Sequence, residues 1–98
     1  MSKQGFIYML TNRNHTVLYI GVTSNLEGRI YEHKTNYYPA SFCSHYNVHK
    51  LVYYEDYDDI YNAICREKQL KKWSRLNKEK LINSFNPKWK DLYDSLWS

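Results

Sequence analysis

The stretch FIYMLTNRNHTVLYIGV, residues 6–22, decides the fold. Residues 6–10 and 17–22 are β-branched and aromatic runs, each too short for a core helix, and the polar tetrapeptide Asn12-Arg13-Asn14-His15 between them predicts a β-hairpin. With a four-residue loop, Thr11 faces Thr16, Leu10 pairs with Val17, and Tyr8 pairs with Tyr19 on one face of the sheet. An odd loop or a bulge would offset the two tyrosines along their strands.

Outward from the hairpin, Ser24-Asn25-Leu26-Glu27 reads as a capping box, with Ser24 as N-cap and Glu27 three residues on. The helix it starts runs to about residue 34, and Gly28 inside it costs about 1 kcal/mol relative to Ala. Leu26, Arg29, Ile30 and His33 share one stripe of that helix, so an arginine and a histidine lie on the face that the aliphatic residues must bury. Residues 35–47 form a polar and aromatic connection with one short helix after Pro39. Residues 48–55 predict a third strand, closed by an acidic turn at residues 56–59. Asp58 is the expected N-cap of a long helix reaching Trp73, whose apolar stripe is Ile60, Ala63, Ile64, then Glu67. Another helix over residues 78–85 ends before Asn86-Pro87, and Trp89, Leu92, Tyr93 and Leu96 recur at helical spacing.

The 98 residues suit one domain over 1–98 with no linker, repeat or low-complexity segment. Eleven tyrosines lift the aromatic share to 17%, which lets a small chain bury area and leaves phenol hydroxyls for chemistry. The net charge of +4 hides an uneven spread, because residues 66–90 hold nine bases against two acids, a local +7. Arg66, Lys68, Lys71, Lys72 and Arg75, interleaved with Trp73, suit a nucleic-acid backbone, although a solvated helical face looks the same from charge alone. Cys43 and Cys65 have no metal-binding spacing and read as reduced. With no signal-peptide anatomy and no apolar run above five residues, a cytoplasmic location away from membranes is expected.

Arg29, His33 and Glu67 thus stand where the helical period asks for apolar residues, and buried charges of that kind are usually paired or functional. Each has an ordinary structural reading: Arg29 salt-bridged to Glu67, His33 a satisfied core histidine, and Tyr8 against Tyr19 as cross-strand packing. Together they suit phosphodiester cleavage. A carboxylate is a hard ligand for Mg²⁺, arginine's fork matches a phosphate, and a phenolate, or a histidine acting through it, can take a proton from water.

Phe6-Ile7-Tyr8, then Tyr19-Ile20-Gly21, followed by Arg29, His33, Glu67 and Asn86-Pro87-Lys88-Trp89, resembles the GIY-YIG nuclease superfamily over residues 5–95. The likeness is to its small stand-alone bacterial members, which are similar to the nuclease domain of the excision-repair incision subunit. The resemblance implies an α/β (α+β) domain with a three-stranded antiparallel sheet flanked by helices, and a metal-dependent endonuclease that hydrolyses DNA by a single-metal mechanism. It also implies roles: Tyr8 as general base, Tyr19 on the scissile phosphate, Arg29 stabilising the transition state, and His33 assisting or orienting Tyr8. Glu67 would hold one Mg²⁺ or Mn²⁺, with Gly21 and Asn86 supporting the site. Two positions depart from the pattern: Gly28, and Ser44-His45, stand where small members carry basic residues. The first tripeptide also begins with Phe6 rather than glycine. With no second DNA-reading module, weak sequence specificity on double-stranded or branched DNA, a monomer, and recruitment by a partner protein are the expectations. The alternative is a nucleic-acid-binding module of the same fold without useful turnover.

Overall fold

The computed structural model describes residues 3–97. The chain runs β1 (Gly5–Thr11), β2 (Leu18–Thr23), α1 (Leu26–Lys34), α2 (Phe42–His45), β3 (Lys50–Tyr57), α3 (Ile60–Lys71), α4 (Arg75–Phe85) and α5 (Leu92–Trp97). The strands form one antiparallel sheet in the order β2-β1-β3, with β1 at its centre. Among the described residues no helix is long and apolar enough to cross a membrane.

Strand alternation divides the core. Ile7, Met9 and Ile20 face one way and pack with Ala63 and Leu70 of α3 and Ile82 of α4. Tyr8 and Leu10 face the other way and pack with Leu26 and Ile30 of α1 and Cys43 of α2, with Leu92 and Tyr93 of α5 against the same cluster. The sheet is therefore covered on both faces, as the sequence expects.

The hairpin register differs from the four-residue expectation. Leu10 pairs with Tyr19 and Tyr8 with Gly21, so Thr11 closes on Leu18 and residues 12–17 form the connection. Local polar chemistry explains the longer loop. Asn12 Oδ1 accepts from the amides of Thr16 and Val17, and the Thr11 hydroxyl donates to the Val17 carbonyl. These bonds occupy Thr16 and Val17 outside the ladder. Because the slip is two residues, Tyr8 and Tyr19 keep one face but stand diagonally rather than opposite.

On its other edge β1 pairs with β3 through a register shift between Met9 and Leu10: Met9 faces Tyr53 while Leu10 faces Leu51. Val52 is the extra residue, which is why consecutive Val52 and Tyr53 both join the α3 face. The strand begins and ends two residues later than the pattern suggests. Glu55 is held inside the sheet edge by Arg66, Tyr53 and Tyr57, and this keeps Tyr57 in the strand. The helix caps also shift. Asp59, not Asp58, caps α3 through the Tyr61 amide, and Ser74 starts α4 three residues earlier than expected.

The N-cap of α1 is Asn25 rather than Ser24: its Oδ1 accepts from the Gly28 amide at 3.2 Å. Thr23 holds Asn25 from the other side, its hydroxyl oxygen accepting from the Asn25 amide. Gly28 is what allows this cap, since a Cβ at position 28 would lie 2.4 Å from Asn25 Nδ2. A double-mutant cycle read by urea unfolding tests the coupling. Gly28→Ala alone is expected to be close to neutral, because the propensity gain offsets a displaced cap. In an Asn25→Ala background the same change should stabilise by about 1 kcal/mol. Equal effects in both backgrounds would show that the two residues act independently.

Candidate active site

Tyr8, Tyr19 and His33 form a triangle of rings. Centroids are 6.3 Å apart for Tyr8–Tyr19, and 5.8 Å for each tyrosine against His33. The ring of Tyr8 reaches this place by lying across its cross-strand neighbour Gly21, where any Cβ would stand 2.3 Å from the Tyr8 hydroxyl oxygen. Its hydroxyl is 3.2 Å from His33 Nε2. Arg29, one turn before His33 on α1, acts on the same hydroxyl.

Burial sets the electrostatics. Tyr8 is only 1% exposed, and desolvation raises its pKa above the usual phenol value, with Arg29's guanidinium pulling the other way. His33, 7% exposed, is pushed down to about 4 by burial first and by the charge of Arg29 second. At neutral pH the buried pair is therefore a neutral phenol beside a neutral imidazole. Arg29 is more open, pairs with Glu32 at 3.2 Å, and lies 5.8 Å from the Tyr38 ring centroid. It does not meet Glu67.

Glu67 lies on α3, against the opposite face, and pairs with Lys71 at 3.3 Å. β2 is a free edge of the sheet. A groove of about 380 Å³ at this edge is lined by Leu18, Tyr19, Ile20, Phe42, Lys71 and Lys78, so Tyr19 and Lys71, the partner of Glu67, both line it. Phe42 stacks on Tyr19 at 5.9 Å. Sequence reading treated residues 35–47 as a polar and aromatic connection and did not single out Phe42 and Tyr38. Their only signal was the density of aromatics just after the Arg29–His33 helix.

The remaining candidates fall elsewhere. Asn86 is buried on the α3 face, where its Nδ2 donates to the carbonyls of Val52 and Lys90, and Oδ1 accepts from the Lys90 amide. It pins the C-terminal segment to the bulged residue of β3 rather than joining the tyrosines. Arg66 engages both oxygens of Glu55 and lies 5.2 Å from the Trp73 ring centroid. Arg75 holds Glu79 and the carbonyls of His15 and Thr16. Both guanidiniums are thus occupied within the protein, while Lys68 and Lys72 are exposed.

A family model described as the GIY-YIG catalytic domain matches residues 4–80. The chain belongs to this family. It is 39% identical over 87 residues to a UPF0213 protein of Syntrophus aciditrophicus, an alignment covering 89% of this chain and 97% of the relative. A UPF0213 protein of Natronomonas pharaonis is 33% identical over 82 residues, covering 84% and 94% of the two chains. One from Clostridium perfringens is 37% identical over 79 residues, covering 81% and 83%. No solved structure matches the chain significantly.

Within this GIY-YIG domain the three-stranded sheet carries the Phe6-Ile7-Tyr8 tripeptide on β1 and Tyr19-Ile20-Gly21 on β2, the glycine of the second lying beneath the tyrosine of the first. A metal ion would find one carboxylate: among the described residues no group of three or more His, Cys, Asp or Glu side chains could hold an ion. Glu67 alone still fits Mg²⁺, a hard ion that keeps several waters and completes its shell with substrate phosphate oxygens.

The buried neutral His33 predicts an acid sensitivity of its own. Its folded pKa lies below the unfolded value, so the unfolded chain binds more protons between them. The stability it contributes is complete above about pH 6.5 and is lost as pH falls through about 4. Urea unfolding across that window should show His33→Gln losing less stability on acidification than the parent, by up to about 3 kcal/mol. Parallel pH curves for the two proteins would remove the claim.

Proposed function

We propose that this GIY-YIG domain is a metal-dependent endonuclease that hydrolyses phosphodiester bonds of DNA with little sequence preference. The observation that carries the reading is the convergence of Tyr19, His33 and Arg29 on Tyr8, beside a groove lined both by Tyr19 and by Lys71, the partner of Glu67. Packing alone asks for none of the polar members of that set.

In this reading the scissile phosphate enters at the β2 edge, where Tyr19 and Arg29 retain exposure. Arg29 turns from Glu32 to the non-bridging oxygens and offsets the charge that grows there, while the Tyr19 hydroxyl donates to the same phosphate. Tyr8, once it has lost its own proton to solvent, takes a proton from the attacking water as the phenolate, and His33 holds the phenol oxygen in place. Glu67 would hold one Mg²⁺ or Mn²⁺, which supplies Lewis-acid stabilisation of the leaving oxygen. Lys71 would have to leave Glu67 for that, and an incoming phosphate offers it an alternative partner. Lys68 and Lys72 extend the cationic surface toward the duplex. The aromatic lining at Phe42 replaces the cationic grip that Ser44-His45 lacks.

Supercoiled plasmid incubated with Mg²⁺ or Mn²⁺ tests the proposal. The parent should nick and linearise it, and Arg29→Ala should lower the rate about 10²- to 10³-fold. Glu67→Ala should abolish cleavage while leaving metal-free DNA binding intact. Inactivity of the parent on plasmid, branched and single-stranded DNA would leave only a nucleic-acid-binding module.

The pH profile assigns the base. With a phenol whose pKa is raised by burial, the rate should climb about tenfold per pH unit from about pH 6 to about pH 9, without a plateau, when chemistry is rate-limiting. A flat profile would instead place the base on His33, already neutral above about pH 4.

A further inference from the structure

At the hairpin end of the sheet a second concavity of about 430 Å³ opens between β1, α1 and β3, walled by Arg13, Lys34, Asn47, His49, Lys50 and Asp91. Its charge is not balanced. Asp91 accepts from Lys34 and from the amides of Leu51 and Tyr93, so this one carboxylate serves Lys34 and the docking of the C-terminal segment. Among the described residues neither Arg13 nor Lys50 has a carboxylate partner; Lys50 donates to His15 Nε2 at 2.9 Å. The imidazoles record the positive surroundings. His15 is depressed by burial and then by Lys50 and Arg75, and His49 by burial and then by Lys34. Both stay neutral where another cation would be unfavourable.

The concavity is continuous with the basic surface elsewhere. Arg75 seats its guanidinium on the carbonyls of His15 and Thr16, which joins the cationic α3–α4 segment to the loop that carries Arg13. Lys71 and Lys78 line the catalytic groove nearby. Acids collect at the other end of the sheet, where Asp56 pairs across from Phe6 and Asp58 and Asp59 lead into α3. A polyanion lying over this molecule is therefore drawn to the hairpin end. From Tyr8 to Thr11 the strand advances about 10 Å at roughly 3.3 Å per residue, which sets the concavity apart from the tyrosines along the sheet.

We propose that Arg13 and Lys50 form a second phosphate site, which grips the nucleic-acid backbone beyond the bond held at Tyr8 and Arg29. The position of the cut bond rests on the nuclease reading above; the phosphate site does not. Arg13 supplies the planar fork, Lys50 a point charge, and Asn47 a polar wall. The grip fixes register and carries no sequence information.

Fluorescence anisotropy with a labelled duplex of about 20 base pairs in EDTA tests the site independently of cleavage. Relative to the parent, Arg13→Gln/Lys50→Gln should bind at least about tenfold more weakly at about 50 mM NaCl, and its log–log salt slope should be shallower by about 2. Each single change should account for about 1 of that, and Lys50→Arg should retain the parental slope. In parallel, inorganic phosphate titrated into ¹⁵N-labelled parent should shift the amides of Arg13, Asn47 and Lys50. A parental slope in the folded double variant overturns the proposal, as does the absence of phosphate-induced shifts. Shifts with free phosphate but no change in DNA slope also overturn it, assigning the concavity to a small anion instead of the backbone. A parent that binds DNA with the expected slope but never cuts it would refute the nuclease reading alone.

Discussion

A tyrosine can lay its ring across a neighbouring strand only where that strand presents no side chain, and the pairing of Tyr8 with Gly21 meets this condition. Much else depends on it. The ring's direction brings the hydroxyl to His33 Nε2, and that contact fixes which turn of α1 faces the sheet. Arg29 follows from the same turn, and Tyr19, displaced by the register, fills the space beside the ring. A methyl group at position 21 would occupy the hydroxyl's place, so overpacking here would disturb chemistry and fold together.

Burial and reactivity pull against each other in this arrangement. The interior that orders Tyr8 also raises its pKa and strips His33 of its proton affinity, leaving two neutral partners joined by one hydrogen bond. Charge is kept one layer out, on the partly exposed Arg29 and the more covered Glu67, each holding a neighbour of opposite sign on its own helix. Such i,i+3 and i,i+4 pairs on a helix are worth only a few tenths of a kcal/mol, so a phosphate or an ion can displace them at little cost. The less exposed Glu55–Arg66 pair behaves differently. Burial alone would raise the Glu55 pKa, but the bonds from Arg66, Tyr53 and Tyr57 outweigh it and hold the carboxylate low. That cluster braces the sheet edge and takes Arg66 out of the surface charge.

Local pattern made several elements legible, and the misses share a cause. The hairpin, the Leu26–Ile30 stripe, the short helix after Pro39 and the apolar face of α3 all follow from periodicity. The loop length, the N-caps and the β3 boundary were misplaced by one to three residues, because side chains such as Asn12, Asn25 and Asp59 compete for neighbouring amides over distances that periodicity does not resolve. The bulge at Val52 was invisible for another reason: it depends on which residue of β1 lies opposite. Arg66 and Arg75 looked like surface cations because nothing nearby in the sequence names Glu55 or the hairpin carbonyls as their partners.

By itself the sequence determined the residue types of the site and the face each would occupy, since a period of two on a strand and 3.6 on a helix assigns faces without knowledge of the partner. It also determined the local excess of cations from position 66 to 90. Tertiary structure alone decided that Tyr8, Tyr19, Arg29 and His33 gather on one side of the sheet while Lys71, the partner of Glu67, lines the groove at the β2 edge, and that Asn86 serves the bulge instead. It also gathered Arg13 and Lys50, 37 positions apart in the chain, around one concavity. The physical reason is the same throughout: a residue's face is fixed by its own strand or helix, but its neighbours across the sheet are fixed by register and packing, which no single segment contains.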